Sequence, residues 1–516
     1  MAKQRERWGT RLGVIMAVAG SAIGLGNFLR FPVQAAQNGG GAFMIPYFIA
    51  LVLLGIPLMW VEWAIGRYGG VFGHGTAPGA FHRLWDSRLA KYFGVIGIFG
   101  PLVIFIYYIY IESWILGYAF FALTGKLFSA TNTNSMLAFL QGYQGLVKNE
   151  FFSGLVVPYI FFLITFAINI AILRRGIKGG IEKLCNIAMP ILFVFGAILM
   201  VRVLTLGAPD SLRPSWNVLA GLGFLWNPKF EVLKDAKVWL AAAGQIFFTL
   251  SVGIGVIITY ASYLKKTDDV VLSGLSAASM NELAEVVIGG SIAIPIAFAF
   301  YGPVNIVDIA RGGAFNLGFV TMPLVFEKIF LGGFFCFIWF ALLFLAGITS
   351  SVSLAQPAIS FMSDEFNIDH KKAVLIFAVI SFILCQPVIF FLGNGVLDEL
   401  DFWGGTFALV VFATIESILF AWVFGIGAAW QEIHHGAHIK VPKIFKFIIK
   451  YVTPTYLVAI LAFWFYQEWT PVILMKGVSE ANRPYIIGTR LMLIGMLIAI
   501  ALLVKVAWRK RGRKAS

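Results

Sequence analysis

Apolar residues in this chain run together instead of alternating with polar ones. Stretches of about 20 mostly apolar residues are long enough to cross a bilayer. Twelve are read, centred near residues 20, 52, 110, 164, 195, 250, 290, 345, 381, 412, 458 and 497. The links between them are short except for residues 66–91, 125–153, 207–237 and 301–328. In the last of these, short apolar runs alternate with Pro303, Gly312, Gly313 and Pro323, which predicts small helices over the outer face.

Two of the twelve runs are interrupted. The first breaks at residues 22–26 within GSAIGLGNFLRFP, where three glycines precede Asn27 and Arg30. The sixth breaks at residues 250–255 within GQIFFTLSVGIGVIITYASY, just after Thr249. Glycine weakens a helix by about 1 kcal/mol relative to alanine. A freed amide or carbonyl in hydrocarbon costs several kcal/mol without a partner. An unwound turn therefore needs something polar beside it. Carbonyls suit a cation, and amides at a helix N-terminus suit a carboxylate. Taken singly, each break could equally be a small-residue packing notch. Taken together, they stand at the first helix of spans 1–5 and of spans 6–10, the pattern of a transporter site between two repeats. Five spans per repeat is odd, so the halves would run in opposite directions. The expected fold is an all-α polytopic membrane protein in one transmembrane domain. Residues 1–205 form the first five-helix repeat, 206–428 the second, inverted one, and 429–516 two accessory helices and a basic tail.

Composition agrees. Of 516 residues, 59% are hydrophobic and 12% charged, against about 25% charged in soluble domains. The net charge of +14 would suit nucleic acid, but its distribution suits topology instead. With both termini inside, the inner segments hold roughly twice the Lys and Arg of the outer ones, as the positive-inside rule requires. The basic tails are then topology and anionic-lipid signals, and no nucleic-acid partner is expected. The apolar run after the basic N-terminus has no small-residue cleavage site and continues as a span, so no cleavable signal peptide is expected. Cys185, Cys336 and Cys385 lie in apolar surroundings without metal-ligand spacing and are expected to pack. His434, His435 and His438 have plausible ligand spacing but fall in a basic inner loop, where solvation is the expectation. A channel would show a continuous polar stripe, and an intramembrane enzyme a nucleophile with its base. Neither pattern is present, and no enzymatic activity is expected.

Five stretches carry a resemblance. RWGTRLGVIMAVAGSAIGLGNFLRFPVQAAQNGGGAFMIPY, GQIFFTLSVGIG, SMNELAEVVIGGS, FLAGITSSVSLAQP and LDELDFWGGT resemble the neurotransmitter:sodium symporters, and the likeness extends over essentially the whole chain. It implies sodium-coupled import of an amino acid by alternating access. It also implies two sodium sites. The first would use Ala22, Asn27, Thr249 and Asn281, with the substrate carboxylate. The second would use Gly20, Ile23, Ala346, Thr349 and Ser350; the i, i+3, i+4 spacing of the last three puts them on one helix face. The substrate pocket implied by the family comprises Ala22, Leu25, Gly26, Ile104, Tyr108, Phe248, Thr249, Ser251, Ile254, Ser350 and Leu354. Arg30 and Asp401 resemble an outer gate, with Tyr108 and Phe248 as a lid. Arg5 and Asp364 resemble an inner gate, helped by Trp8, Ser262 and Tyr263. Glu62, Glu112, Glu282 and Glu416 also lie in or beside spans, where ionisable groups are costly and usually functional. Glu62 and Glu112 are read as satisfied contacts between helices.

Two positions narrow the expectation. Amine transporters of the family carry an aspartate where this chain has Gly24, so an amino acid is expected. Chloride-dependent members carry a serine where this chain has Glu285, so chloride independence is expected, with proton movement through Glu285 left open. The family's leucine transporter has phenylalanine where this chain has Ile254. The substrate is therefore expected to be a hydrophobic amino acid of leucine, methionine or aromatic type. A non-transporting sensor, or a symporter for a different small zwitterion, is the alternative. The implied setting is a prokaryotic inner membrane with both termini cytoplasmic, and a homodimer is left open.

Overall fold

The structure is a computed structural model that describes residues 6–515. Helix dominates it throughout. Two helices meet at the first break, α1 (Arg11–Ala22) and α2 (Gly26–Gln37), bent by 47°. Four spans follow: α3 (Gly41–Val71), α4 (Ala90–Leu123), α5 (Val156–Leu173) and α6 (Ile177–Leu204). The second break separates α7 (Ala236–Thr249) from α8 (Val256–Ala261). Then come α9 (Val270–Arg311), α10 (Gly332–Phe366), α11 (His370–Phe390), α12 (Val396–Val423), α13 (Ile444–Gln467) and α14 (Arg483–Lys510). Among the described residues, ten helices are individually long and apolar enough to span, and the bent pair α1–α2 makes eleven. The sixth expected run falls short of that length because its break divides it into pieces of 14 and 6 residues.

The helices begin where short polar side chains can take up orphan amides. Thr10 accepts from the Gly13 amide at 2.9 Å to start α1, and Asp269 from the Leu272 amide at 2.9 Å to start α9. Asp235 and Asp369 cap α7 and α11 in the same way. The segment over residues 301–328 does form small helices. Gly302, at φ +75°, kinks α9, and short helical pieces follow from Gly313 to Glu327.

Helix α4 is apolar all round and buried on nearly every side, as a central helix must be. Its most extensive partner is α10. These two form the post against which α1 and the α7–α8 break are held. Helices α5, α6, α13 and α14 bury only a narrow stripe. Near the C-terminal end of α3, the fully buried Arg67 ties that helix to two loops. It meets Glu432 at 2.8 Å and donates to the carbonyls of Asp268 and His435 at 2.6 and 2.7 Å. The three cysteines are free and buried.

Candidate functional site

Both breaks face the α4–α10 post, and each is satisfied by side chains from elsewhere. At the first, the helix stops at Ala22 and Ile23 turns to an extended conformation. The Gly24 amide donates to Asn27 Oδ1 at 2.9 Å, and the Leu25 amide to the Tyr108 hydroxyl at 3.4 Å. At the second, Ser251, Gly253 and Gly255 all have positive φ. Ser251 Oγ donates to the Ser21 carbonyl at 2.9 Å, which links the two breaks. The Gly253 amide donates to Glu62. Glu62, expected as a contact between helices, thus receives an amide that unwinding sets free.

Asn27, Thr249 and Asn281 meet in one buried polar cluster. Asn27 Nδ2 donates to Asn281 Oδ1 at 2.8 Å and to Thr249 Oγ1 at 3.2 Å. Asn281 Nδ2 reaches Thr249 Oγ1 at 3.0 Å. Thr249 in turn donates to Glu285. Glu285 also accepts from Gln245 at 3.0 Å and from Tyr47 at 3.0 Å. Tyr47 lies 2.8 Å from Glu282 as well. The cluster therefore offers neutral side-chain oxygens at its front and a carboxylate one hydroxyl behind them. All-oxygen donor sets of this kind suit a hard cation. Glu112 has a separate setting, accepting from Asn169 at 3.1 Å. Glu416 is fully buried against Glu62.

The second constellation lies between α1 and α10. Ser350 Oγ stands 3.3 Å from the Gly20 carbonyl, 3.2 Å from that of Ser21 and 3.0 Å from that of Ala346. Thr349 Oγ1 lies 3.2 Å from the Ala346 carbonyl. Gly20 is packed so closely that an added Cβ would sit 3.1 Å from Thr349 Cβ. Ile23 is fully buried at the end of α1. Two hydroxyls and the carbonyls of two helices converge here.

Between the breaks lies a cavity of about 50 Å³. Ala22, Leu25, Gly26, Ile104, Tyr108, Phe248, Ser251, Ile254, Ser350 and Leu354 line it. Thr249 does not; it faces the polar cluster instead. A Cβ added at Gly24 would stand 3.0 Å from Ser350 Oγ and 3.1 Å from the Tyr108 hydroxyl, so a side chain there would intrude on the cavity. Gly405 and Leu409 of α12 also line it and were not anticipated. Their only sequence signal is position on the helix that carries Asp401.

Arg30 and Asp401 line a vestibule of about 280 Å³ above the cavity, but each is held by another partner. The Arg30 guanidinium lies over the Phe248 ring at 4.3 Å from its centroid, a cation–π contact. Asp401 accepts from the Tyr107 hydroxyl at 2.6 Å. Tyr108 and Phe248 line both spaces and so form the partition between them.

Just before α1, Trp8 Nε1 donates to the Tyr260 carbonyl at 2.9 Å and packs edge-on to that ring. Ser262 donates to the Thr259 carbonyl at 2.6 Å, and Tyr263 shares a 2.6 Å hydrogen bond with Ser360. Asp364 and Tyr263 line a second cavity of about 280 Å³ below. Arg5 lies outside the described residues. The His434 and His435 ring nitrogens meet the carbonyls of Trp430 and Lys266, and the His438 amide meets Asp269. Among the described residues, no group of His, Cys, Asp or Glu is arranged to hold a metal ion.

Comparison with known proteins identifies this architecture. The family model for the sodium:neurotransmitter symporter family matches residues 5–140 and 143–510. An uncharacterized sodium-dependent transporter of Methanocaldococcus jannaschii is 33% identical over 464 residues, covering 89% of this chain and 90% of its own length. A sodium-dependent transporter of Bacillus subtilis is 31% identical, covering 81% and 86%. The crystal structure of MhsT in complex with L-phenylalanine superposes with a TM-score of 0.75 at 30% identity, covering 89% of this chain and 99% of that one. The fold is thus shared with that solved structure over nearly the whole chain. With its paired breaks and multiple apolar spans, the chain belongs to the sodium:neurotransmitter symporter family.

Proposed function

We propose that this protein imports a hydrophobic amino acid together with sodium, by alternating access and without a need for chloride. The observation that carries the reading is the cavity between the breaks. Its lining includes the Leu25 amide and the Tyr108 hydroxyl, which suit a carboxylate. It also includes Ile104, Ile254 and Leu354, which suit an apolar side chain. MhsT, at 30% identity, was crystallised with phenylalanine, which has the same division of polar and apolar parts.

Two sodium ions would bind, one at Ala22, Asn27, Thr249 and Asn281, the other at Gly20, Ile23, Ala346, Thr349 and Ser350. At the first, the substrate carboxylate completes the coordination, so each ligand raises affinity for the other; such coupling is reciprocal. Glu285 supplies through Thr249 the fixed negative charge that a chloride ion would otherwise bring. Substrate bound beneath Phe248 draws Arg30 and Asp401 together and shuts the vestibule. Release follows on the inner side, where Trp8, Ser262, Tyr263 and Asp364 part. The membrane is a prokaryotic inner membrane, and both termini are cytoplasmic. Each of the two repeats, residues 1–205 and 206–428, supplies one broken helix that moves and one helix of the post that stays.

The test is uptake into proteoliposomes of labelled amino acids and one amine, with an inward sodium gradient or with potassium in its place. Accumulation of a hydrophobic amino acid only in sodium supports the reading. Sodium-dependent binding without accumulation replaces it with a sensor, and uptake of a small polar zwitterion replaces the substrate class.

A further inference from the structure

Outside the first break, four aliphatic side chains line the cavity. Ile104, Ile254 and Leu354 belong to α4, the second break and α10. The fourth is Leu409 of α12, which is 3% exposed. Helix α12 contributes only two residues to the cavity, Gly405 and Leu409. Gly405 presents no side chain, and an added Cβ would lie 2.8 Å from both Asp401 Oδ1 and the Tyr107 hydroxyl. Leu409 therefore provides all the side-chain bulk that α12 presents to the cavity.

Its backbone cannot retreat. The Leu409 carbonyl stands 2.7 Å from where a Cβ of Gly253 would be, and the Ala413 Cβ stands 3.0 Å from the same point. Gly253, at φ +76°, is itself anchored through its amide to Glu62. The helix is thus packed against the second break at the wall residue itself and one turn beyond it, at Ala413. On the α12 side, a ligand too long for the space meets a close-packed backbone, and only the Leu409 side chain can give there. Asp401, Gly405, Leu409 and Ala413 follow one another at four-residue intervals, so the outer-gate carboxylate and this wall occupy the same face of α12.

We propose that Leu409 is the residue that sets the length of substrate side chain the cavity accepts. This rests on the reading of the cavity as a site for a hydrophobic amino acid. It acts by occupying volume: a smaller residue opens space beneath the ligand, and a larger one removes it.

The experiment is competition binding in sodium. Labelled leucine is displaced by unlabelled alanine, valine, leucine, phenylalanine and tryptophan, on wild type and on L409A, L409V, L409M and L409F. Ratios of affinities are read, because they do not depend on the active fraction of each preparation. A methylene in an apolar pocket is worth on the order of tenfold or more. L409A is expected to move the phenylalanine-to-leucine ratio at least tenfold toward phenylalanine, with L409V intermediate. L409F is expected to move preference toward valine and alanine. L409M, of similar volume, is expected to leave the ratios within about twofold. Ratios unchanged in L409V and L409F overturn the proposal, as does loss of all binding in every variant that remains folded. A wild-type protein that binds no amino acid in sodium overturns the proposed function instead.

Discussion

Asn27 and Asn281, 254 positions apart, share a 2.8 Å hydrogen bond that closes the first break against α9. Neither amide is needed to make a helix. Both are buried where an ordinary span would carry an aliphatic residue. If they gather oxygens for a cation, removing one should weaken sodium more than it weakens the fold. Hydrogen bonds or ligands to a charged group contribute about 1.5–3 kcal/mol. N281A is expected to raise the sodium concentration for half-maximal substrate binding by about tenfold or more, measured by sodium titration at fixed leucine. N27A should do the same and cost stability besides, because Asn27 also takes the Gly24 amide.

Glu285 leads to a prediction about anions. Wild-type uptake is expected to be unchanged when gluconate replaces chloride. In E285S the fixed charge behind Thr249 is gone, so uptake should fall in gluconate and recover as chloride is restored. An equal fall in both media would show that Glu285 acts through packing or through Tyr47 and Gln245.

Gly253 tests the clamp between α12 and the second break. At φ +76°, with the Leu409 carbonyl 2.7 Å from an added Cβ, alanine meets both backbone strain and a clash. Strain at such a residue costs on the order of 1–3 kcal/mol. G253A is expected to lower the half-inactivation temperature in detergent by several degrees. Saturating sodium and leucine should restore part of the loss by mass action.

At the inner mouth, Asp269 predicts a pH dependence. Burial opposes its charge, but the amides of His438 and Leu272, together with Arg11 at 3.1 Å, outweigh burial and hold the carboxyl below its ordinary value. Its value in the folded protein is therefore below the unfolded value of about 3.9. The charged form stabilises the fold above that value, and the contribution is lost as pH falls through the folded value. D269N should be less heat-stable than wild type at pH 7, and the gap should close as the pH drops below about 4. D269A should be worse than D269N at every pH, because the cap on α9 is lost as well, at about 0.5–2 kcal/mol.

How far the sequence reached can be judged residue by residue. The breaks at residues 22–26 and 250–255 were legible because glycine against an apolar background is a local signal. The i, i+3, i+4 grouping of Ala346, Thr349 and Ser350 was legible as helix geometry. The sixth run is legible as a broken span, and what its sequence hides is how short the pieces are: 14 and 6 residues stand on either side of the break. The partner of Asp401 was not legible: Tyr107 and Tyr108 are adjacent and chemically alike, and only the rotation of α4 decides that Tyr107 meets Asp401 while Tyr108 meets the Leu25 amide. Leu409 was equally hidden, since a leucine on an apolar helix is indistinguishable from core until its neighbours are known. Glu62 was noticed as costly, but nothing local to it reveals that its partner is an amide 191 residues away.

Cys185, Cys336 and Cys385 are the chain's only thiols, and all are fully buried. Thiols without water access are inert to aqueous reagents. The native protein is therefore already a blank for maleimide chemistry. A single cysteine placed in the outer vestibule or the inner cavity would report alone, and the two faces of the transport cycle can be followed without first stripping the sequence.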